Sequence, residues 1–149
     1  MRALVQRVSE ASVAVEGRCV SQISRGLVAL IGIARDDDAS AGRRLLEKIC
    51  GYRLFPDAQG RMNRSLDDIA GGLLLVPNFT LMADTRRGLR PSFTPAAPPA
   101  EAAELFKALV AAAGERVGAC GAGVFGADMQ LQLVNDGPVT VILEVSGRG

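Results

Sequence analysis

The fold is decided by the stretch Met129-Gln130-Leu131-Gln132-Leu133-Val134-Asn135-Asp136-Gly137-Pro138-Val139-Thr140-Val141-Ile142-Leu143-Glu144-Val145. Its two outer runs alternate apolar with polar side chains or carry β-branched residues, which predicts two strands. Proline has no N–H and is excluded from a central ladder, so Gly137-Pro138 is expected to form a turn, a bulge or an exposed tip. A hairpin turn is the simplest interpretation. The alternative is a rigid tip that presents main-chain groups with little side chain in the way.

Length and charge limit the possible classes of protein. The 149 residues are 48% apolar and carry a net charge of +1, which predicts one domain over residues 1–149, with the last few residues as a tail. Without a basic excess, any contact with RNA needs a local patch of positive charge. Residues 1–7 do not resemble a signal peptide and no run reaches membrane-spanning length, so we expect a cytoplasmic protein without a membrane segment.

The residue types that are missing narrow the chemistry further. The chain has no histidine, which removes Ser-His-Asp and Cys-His catalysis and most catalytic zinc sites. Cys19, Cys50 and Cys120 are odd in number and widely spaced, so they are expected to be small core residues. An enzyme built from this chain must use backbone groups, hydroxyls, amides, charges or groups of its substrate. No cofactor and no metal ion is expected.

The pattern of elements predicts the α+β class: strands first, helices interspersed, and strands last. The expected elements are a strand pair over Leu4 to Val15, a buried strand over Gly26 to Ile33, a helix from Asp36-Asp37-Asp38 to about Cys50, a buried strand over Leu73 to Val76, and a second helix from Pro98-Pro99 capped by Gly114. The three aspartates suggest helix capping before they suggest a divalent metal site.

Two further segments could carry chemistry. Residues 121–126 match the GxGxxG pattern of dinucleotide-binding proteins. That pattern must open a helix, whereas residues 128–133 alternate like a strand, so a glycine-rich connection is the better interpretation. Residues 76–93 gather hydroxyl groups and the arginines Arg86, Arg87 and Arg90. Arginine suits bidentate contact with phosphate, so this segment is either a solvated loop or a phosphate clamp.

The segments 79–93 and 135–140 together closely resemble the D-aminoacyl-tRNA deacylase family. Residues 1–8 and 125–130 resemble it too, so the resemblance extends from residue 1 to about residue 145. One departure stands out. The first motif of the family usually reads Ser-Gln-Phe-Thr-Leu, whereas this chain has Pro77 and Asn78 before Phe79-Thr80-Leu81. We therefore expect altered polarity or substrate preference in the pocket.

The resemblance implies a barrel-like α+β fold of mixed and antiparallel sheets with two main helices, assembled as a homodimer. It implies hydrolysis of the ester bond of D-aminoacyl-tRNA, and of the glycyl ester formed when tRNA-Ala is mischarged with glycine. This reaction is a proofreading step in translation quality control. Main-chain groups at Phe79 and Thr80 would bind the ester oxyanion, and the terminal 2′-hydroxyl of the tRNA would assist water. Gly137 and Pro138 would form a cis-proline tip that enters the pocket of the partner subunit and excludes L side chains.

The remaining residues follow from the same resemblance. Pro77 and Asn78 belong to the substrate pocket that faces the tip. The implied tRNA-contacting residues are Arg86, Arg87 and Arg90, and Arg7 braces the Gly-Pro tip. Two alternatives remain: a module that binds aminoacyl-tRNA ends without hydrolysis, and a dimeric structural protein without a role in RNA metabolism.

Overall fold

The computed structural model describes residues 1–147. Its strands are β1 (Arg2–Val15), β2 (Arg18–Ile23), β3 (Gly26–Gly32), β4 (Phe55–Pro56), β5 (Met62–Arg64), β6 (Gly72–Pro77), β7 (Cys120–Ala122) and β8 (Gln130–Glu144). The helices are α1 (Ala39–Gly51), α2 (Leu66–Ile69) and α3 (Pro99–Arg116), and a single 3-10 turn spans Phe79–Met82. The tail expected at the C-terminus falls partly on residues 148–149, which lie outside the described part.

The long strand β1 organises the sheet. Its first half pairs with β3, its second half pairs with β2, and β8 pairs antiparallel with its other edge over the whole length. The strand pair expected between Leu4 and Val15 is therefore wrong. The polar residues Ser9 and Glu10 produce a shift in register instead of a reversal of the chain. The reversal comes later, where Glu16 and Gly17 both adopt positive φ angles.

The other half of the sheet is parallel. β3 pairs with β6, and β6 pairs with β7. The edge formed by β7 curves back toward β2, so that a Cβ atom placed on Gly121 would lie 1.9 Å from Ser21 Oγ. The sheet is thereby nearly closed on itself, which agrees with the expected barrel-like α+β fold. The strands expected over Gly26 to Ile33 and Leu73 to Val76 are confirmed, and both are almost entirely buried.

Two long helices cover one face of the sheet. α1 is confirmed, and the Asp38 carboxylate caps it by accepting a hydrogen bond from the Ala41 N–H at 2.9 Å. Asp37 accepts a hydrogen bond from the Met1 ammonium group at 2.6 Å. Within residues 1–147, no group of acidic, cysteine or histidine residues is arranged to hold a metal ion. Asp38 thus caps α1 as expected, and Asp37 forms an ion pair with the Met1 ammonium group.

Two details of the helices differ from expectation. α3 does not end at Gly114 but continues to Arg116, since the Val117 N–H still donates to the Ala113 carbonyl at 2.8 Å. The short helix α2 was not expected at all. A capping box between Ser65 and Asp68 starts it, a signal that the sequence did contain.

The core has two parts. One part, between the sheet and the long helices, contains Leu27, Leu45, Phe55 and Phe106. The other part fills the inside of the curved sheet. The members of the second part that are completely buried are Val8, Val13, Val28 and Leu74.

The cysteines follow the expectation only in part. Cys50 is fully buried and Cys120 partly buried, whereas Cys19 is exposed. Burial raises the pKa of the Cys50 thiol to about 11. In the described part of the chain, no helix is long and apolar enough to cross a membrane.

Candidate active site

The Gly-Pro segment is a bulge in the middle of an edge strand. Both halves of β8 pair with the same strand β1 and not with each other. The expected hairpin turn is therefore wrong, and the Gly-Pro segment is a bulge within one strand. Between the pairs Gln6↔Thr140 and Val8↔Asn135, the single residue Arg7 faces the four residues 136–139. The extra residues loop out of the ladder, and the peptide bond between Gly137 and Pro138 is cis.

Side chains on both strands hold this bulge in place. Asn135 Nδ2 donates to the Arg7 carbonyl and to the Val139 carbonyl, each at 2.9 Å. Arg7 Nε donates to the Asp136 carbonyl at 3.1 Å, and Arg7 Nη1 donates to the Leu54 carbonyl at 2.8 Å. Because the Arg7 side chain is only 13% exposed, its contacts are shielded from competing water. The tip Asp136–Val139 is therefore fixed by its own subunit.

Gly137 leaves no room for a side chain. Its φ angle of 132° lies in a region that L side chains rarely adopt. A Cβ atom placed there would lie 3.0 Å from the Val139 backbone nitrogen and 3.1 Å from Arg7 Nη2. The tip therefore exposes main-chain groups, with Pro138 beside them.

The motif of residues 77–80 follows directly after β6. Pro77 ends the strand, and the Asn78 N–H still donates to the Ile31 carbonyl of β3 at 2.8 Å. Phe79 and Thr80 then open the 3-10 turn, so their N–H groups have no acceptor within that turn. The Thr80 hydroxyl donates to Asn78 Oδ1 at 2.5 Å. The structure thus brings two free amides and a fixed hydroxyl to one edge of the sheet.

A cavity of about 740 Å³ lies beside this motif. Residues 76–79 form one wall. The other walls are mainly apolar and come from Leu30 and from parts of residues 93–102 and 125–131, together with the charged residue Arg35. The Phe79 ring is 58% exposed and meets the Phe93 ring edge-to-face, with ring centroids 5.0 Å apart. The volume suits a small organic ligand. Thr80 follows the lining residue Phe79 but does not itself line the cavity, and within the described residues the tip of the same chain does not line it either.

The three expected phosphate-binding arginines are not equivalent. Arg86 forms two hydrogen bonds to the Asp84 carboxylate, at 2.8 and 2.7 Å. Hydrogen bonding from Arg86 lowers the pKa of Asp84 to about 2. Within residues 1–147, Arg87 and Arg90 form no ion pair, and both are exposed. The structure therefore brings Arg87 and Arg90 to the loop as free cations, while Arg86 is already neutralised.

Several pocket residues were missed by the sequence reasoning. Phe93, Phe125 and Met129 line the cavity, and Asn135 ties the tip to β1. All four lie in segments that carried the resemblance, which was the available signal. The GxGxxG stretch opens no helix, and its end, Phe125-Gly126, forms part of the wall. The interpretation as a glycine-rich connection is confirmed.

The fold belongs to a class of barrel-like α+β proteins that includes two solved structures. A solved structure of the c-Myc DNA Unwinding Element Binding Protein matches 97% of this chain and 99% of its own, with a TM-score of 0.92 and 36% identity. A structure of a probable eukaryotic D-amino acid tRNA deacylase matches 97% of this chain and 98% of its own. Its TM-score is 0.86 at 16% identity, which shows the shared fold.

The chain belongs to the D-Tyr-tRNA(Tyr) deacylase family, whose model matches residues 4–144. A D-aminoacyl-tRNA deacylase of Alkalilimnicola ehrlichii is 59% identical over 144 residues, which cover 97% of this chain and 96% of the relative. A D-aminoacyl-tRNA deacylase of Ectopseudomonas mendocina is 57% identical over 97% of this chain and 100% of the relative. The resemblance found in the sequence is confirmed at the level of the family.

Proposed function

We propose that the whole chain, residues 1–149, acts as one deacylase domain that hydrolyses the ester bond of D-aminoacyl-tRNA. Water adds to the ester carbonyl, the bond to the terminal ribose oxygen breaks, and a free D-amino acid and an uncharged tRNA leave. The observation that carries this proposal is the family membership over residues 4–144. The relatives with 59% and 57% identity are both D-aminoacyl-tRNA deacylases.

The free amides support an oxyanion role for Phe79 and Thr80. Addition of water places a negative charge on the former carbonyl oxygen. The N–H groups of Phe79 and Thr80, which have no acceptor within their turn, are positioned to stabilise that charge. One such donor contributes about 2.7–4 kcal/mol to transition-state stabilisation. An aminoacyl ester is already activated, so a chain without histidine can complete the reaction with help from the tRNA 2′-hydroxyl.

The position of the tip supports a homodimer. In the described part of the chain, Gly137 and Pro138 are exposed and do not line the cavity of their own subunit. Ile142, on the same strand, is 58% exposed although it is a large apolar side chain. Burial of this surface by a second copy would place each tip in the other pocket, opposite Pro77 and Asn78. There the main chain of the tip would collide with an L side chain and accept a D side chain.

Glycine cannot be rejected by such a filter, because glycine has no side chain to collide. The proposal therefore includes glycyl-tRNA, in particular glycine mischarged on tRNA-Ala. Neither a cofactor nor a metal ion is required by this chemistry. The reaction belongs to translation quality control, and we place it in the cytoplasm, where aminoacyl-tRNA is consumed.

The proposal is tested with D-tyrosyl-tRNA, L-tyrosyl-tRNA and glycyl-tRNA-Ala as substrates. We expect rapid release of D-tyrosine and glycine and at least about 100-fold slower release of L-tyrosine, since a steric clash costs several kcal/mol. The matched control is a Thr80→Ala variant with an unchanged melting temperature, which loses the Thr80 side chain but keeps the backbone N–H proposed as an oxyanion donor. Equal release from the D and L substrates, or no release from either, would overturn the proposal.

A further inference from the structure

A small surface hairpin and the residues just before it carry three arginines to which the reaction gives no role. β4 and β5 pair antiparallel and are joined by residues 57–61. Arg53 precedes the hairpin, and Arg61 and Arg64 lie on its second half. All three residues are exposed. Tyr52, which follows α1 and directly precedes Arg53 in the chain, is 46% exposed.

The hairpin is fixed to the Gly-Pro tip by one side chain. Arg7 donates to the Asp136 carbonyl of the tip and to the carbonyl of Leu54, the residue before β4. Next to Leu54, the Phe55 ring is fully buried, with the Arg25 guanidinium 5.4 Å from its centroid. The hairpin and the tip therefore belong to one rigid surface of the subunit.

The acidic groups near the hairpin are already occupied. Asp57 accepts hydrogen bonds from the N–H groups of Gln59 and Arg61 and from Asn63 Nδ2. Asp68 accepts from the Ser65 N–H at 2.8 Å in the capping box. These bonds fix the shape of the turn and of α2.

Within residues 1–147, the three arginines are exposed and are not held in close ion pairs, although hydrogen bonds from Ser65 and then the nearby charges of Arg64 and Arg53 lower the pKa of Asp68. Over the described part of the chain, Arg53, Arg61 and Arg64 form no ion pair. Arg64 makes one hydrogen bond, to the Asp68 carbonyl at 3.1 Å. An exposed basic strip beside a half-exposed aromatic ring is the pattern that binds an RNA backbone.

We propose that Arg53, Arg61 and Arg64 bind phosphates of the tRNA whose aminoacyl end lies in the partner subunit's pocket. This inference rests on the proposed function, in which the tip enters that pocket. The hairpin is tied to the tip and must then reach the same tRNA. Each tRNA is held by two subunits: one supplies the pocket with Arg87 and Arg90, and the other supplies the tip with the hairpin.

The first experiment compares the double variant Arg61→Ala/Arg64→Ala with wild type on D-tyrosyl-tRNA. We expect KM to rise about tenfold with kcat nearly unchanged, and the dependence of log(kcat/KM) on log salt to flatten by between about 1 and 2 units. The variant Arg61→Lys/Arg64→Lys keeps the charge and should recover most of the salt dependence. A D-tyrosyl ester of the trinucleotide CCA has no stem phosphates and should react equally with all three proteins.

The second experiment asks which subunit supplies the hairpin. Mixed dimers are isolated with two affinity tags. One subunit carries Phe79→Pro, which removes one of the two proposed oxyanion N–H groups at the first position of the turn and so disables its pocket, and the other carries Arg61→Ala/Arg64→Ala. The only working pocket then faces a wild-type hairpin, and we expect a wild-type KM. When all three changes are on the same subunit, the working pocket faces the altered hairpin, and we expect the raised KM.

The outcomes separate this inference from the proposed function. A wild-type protein that releases D-tyrosine selectively, together with an unchanged KM for a folded Arg61→Ala/Arg64→Ala variant, overturns the hairpin inference alone. The reverse pattern of KM values in the two mixed dimers also overturns it. A wild-type protein without D-selective release overturns the proposed function itself.

Discussion

The Thr80 hydroxyl donates its proton to Asn78 Oδ1 over 2.5 Å. Its hydrogen is therefore committed within the chain, and Thr80 Oγ1 faces outward as a hydrogen-bond acceptor. Asn78 is itself held by the bond from its N–H to the Ile31 carbonyl. The residue that departs from the usual glutamine of the family is thus the one that holds the Thr80 hydroxyl.

Replacement of Asn78 by alanine should lower kcat by about tenfold with little change in KM, since it frees the Thr80 hydroxyl to rotate. Because Thr80 is exposed and Asn78 only half-buried, the free energy of unfolding should change by no more than about 0.5 kcal/mol. Steady-state kinetics with D-tyrosyl-tRNA measures the effect. In a Thr80→Ala background the same replacement should add nothing, and additive losses would show that Asn78 acts independently of Thr80.

Replacement of Arg7 by lysine keeps the positive charge but removes the forked contact to the carbonyls of Asp136 and Leu54. The unfolding free energy should fall by about 1–3 kcal/mol, since a shielded carbonyl loses its donor. Discrimination between D-tyrosyl-tRNA and L-tyrosyl-tRNA should fall by a larger factor than kcat for the D substrate. Denaturant unfolding and paired kinetics measure both effects. Unchanged discrimination in a folded variant would show that Arg7 does not position the tip.

The local sequence revealed the tip but not its partner strand. Alternating residues on both sides of Gly137-Pro138 predict two strands, and a hairpin would pair them with each other. Pairing with β1 instead joins residues that lie between 116 (Ala14↔Gln130) and 142 (Arg2↔Glu144) positions apart, which no local pattern encodes. The same limit applies to β1, where Ser9 and Glu10 look like a break. In the sheet they are a shift in register, because β8 continues along the other edge.

The candidate site likewise has features that the sequence predicted and features that only the folded structure shows. The motif residues 77–80 and the arginine loop were found from their residue types and their family resemblance. Which arginine is free was not predictable from composition. The ion pair between Asp84 and Arg86 depends on a loop closed by paired backbone hydrogen bonds between Asp84 and Ser92, at 2.7 and 3.0 Å. The apolar walls at Phe93 and Phe125 come from separate segments that meet only in the folded chain.

The three arginines of the loop should differ in their effect on tRNA binding. The double variant Arg87→Ala/Arg90→Ala should weaken binding of D-tyrosyl-tRNA by about tenfold and flatten its salt dependence by between about 1 and 2 units. Arg86→Ala should have a much smaller effect, because the Asp84 carboxylate already neutralises that guanidinium. Filter binding at several salt concentrations measures this. A larger loss from Arg86→Ala would show that the ion pair opens when tRNA binds.

The thiols should react in a fixed order with a thiol reagent at pH 8. Cys19 is exposed and should react first, Cys120 more slowly, and Cys50 only after unfolding. Burial raises the pKa of Cys50 from 9.0 to about 11, so its thiolate is about 100-fold less abundant than that of a free cysteine. The pKa of Cys50 is higher in the folded protein than in the unfolded protein. The contribution of its neutral thiol to the free energy of unfolding is therefore complete below about pH 9 and is lost as the pH rises toward 11. Rapid modification of Cys50 in native protein would contradict this order.

Pro77 occupies a position where the sheet does not need its missing N–H. It lies opposite Ile31 of β3, but β7 already ends at Ala122, opposite Leu75. Pro77→Ser should therefore change the free energy of unfolding by less than about 1 kcal/mol, mainly through the flexibility of the unfolded chain. Combined with Asn78→Gln, it restores the usual family motif.

We expect Pro77→Ser/Asn78→Gln to change kcat/KM for D-tyrosyl-tRNA by no more than about tenfold. The oxyanion donors proposed at Phe79 and Thr80 are backbone groups, which this double replacement leaves in place. Single-turnover kinetics with wild type as reference measures the change. If wild type binds aminoacyl-tRNA without turnover and the double variant hydrolyses it, the native chain is a binding module, and Pro77-Asn78 is the cause of its lost activity.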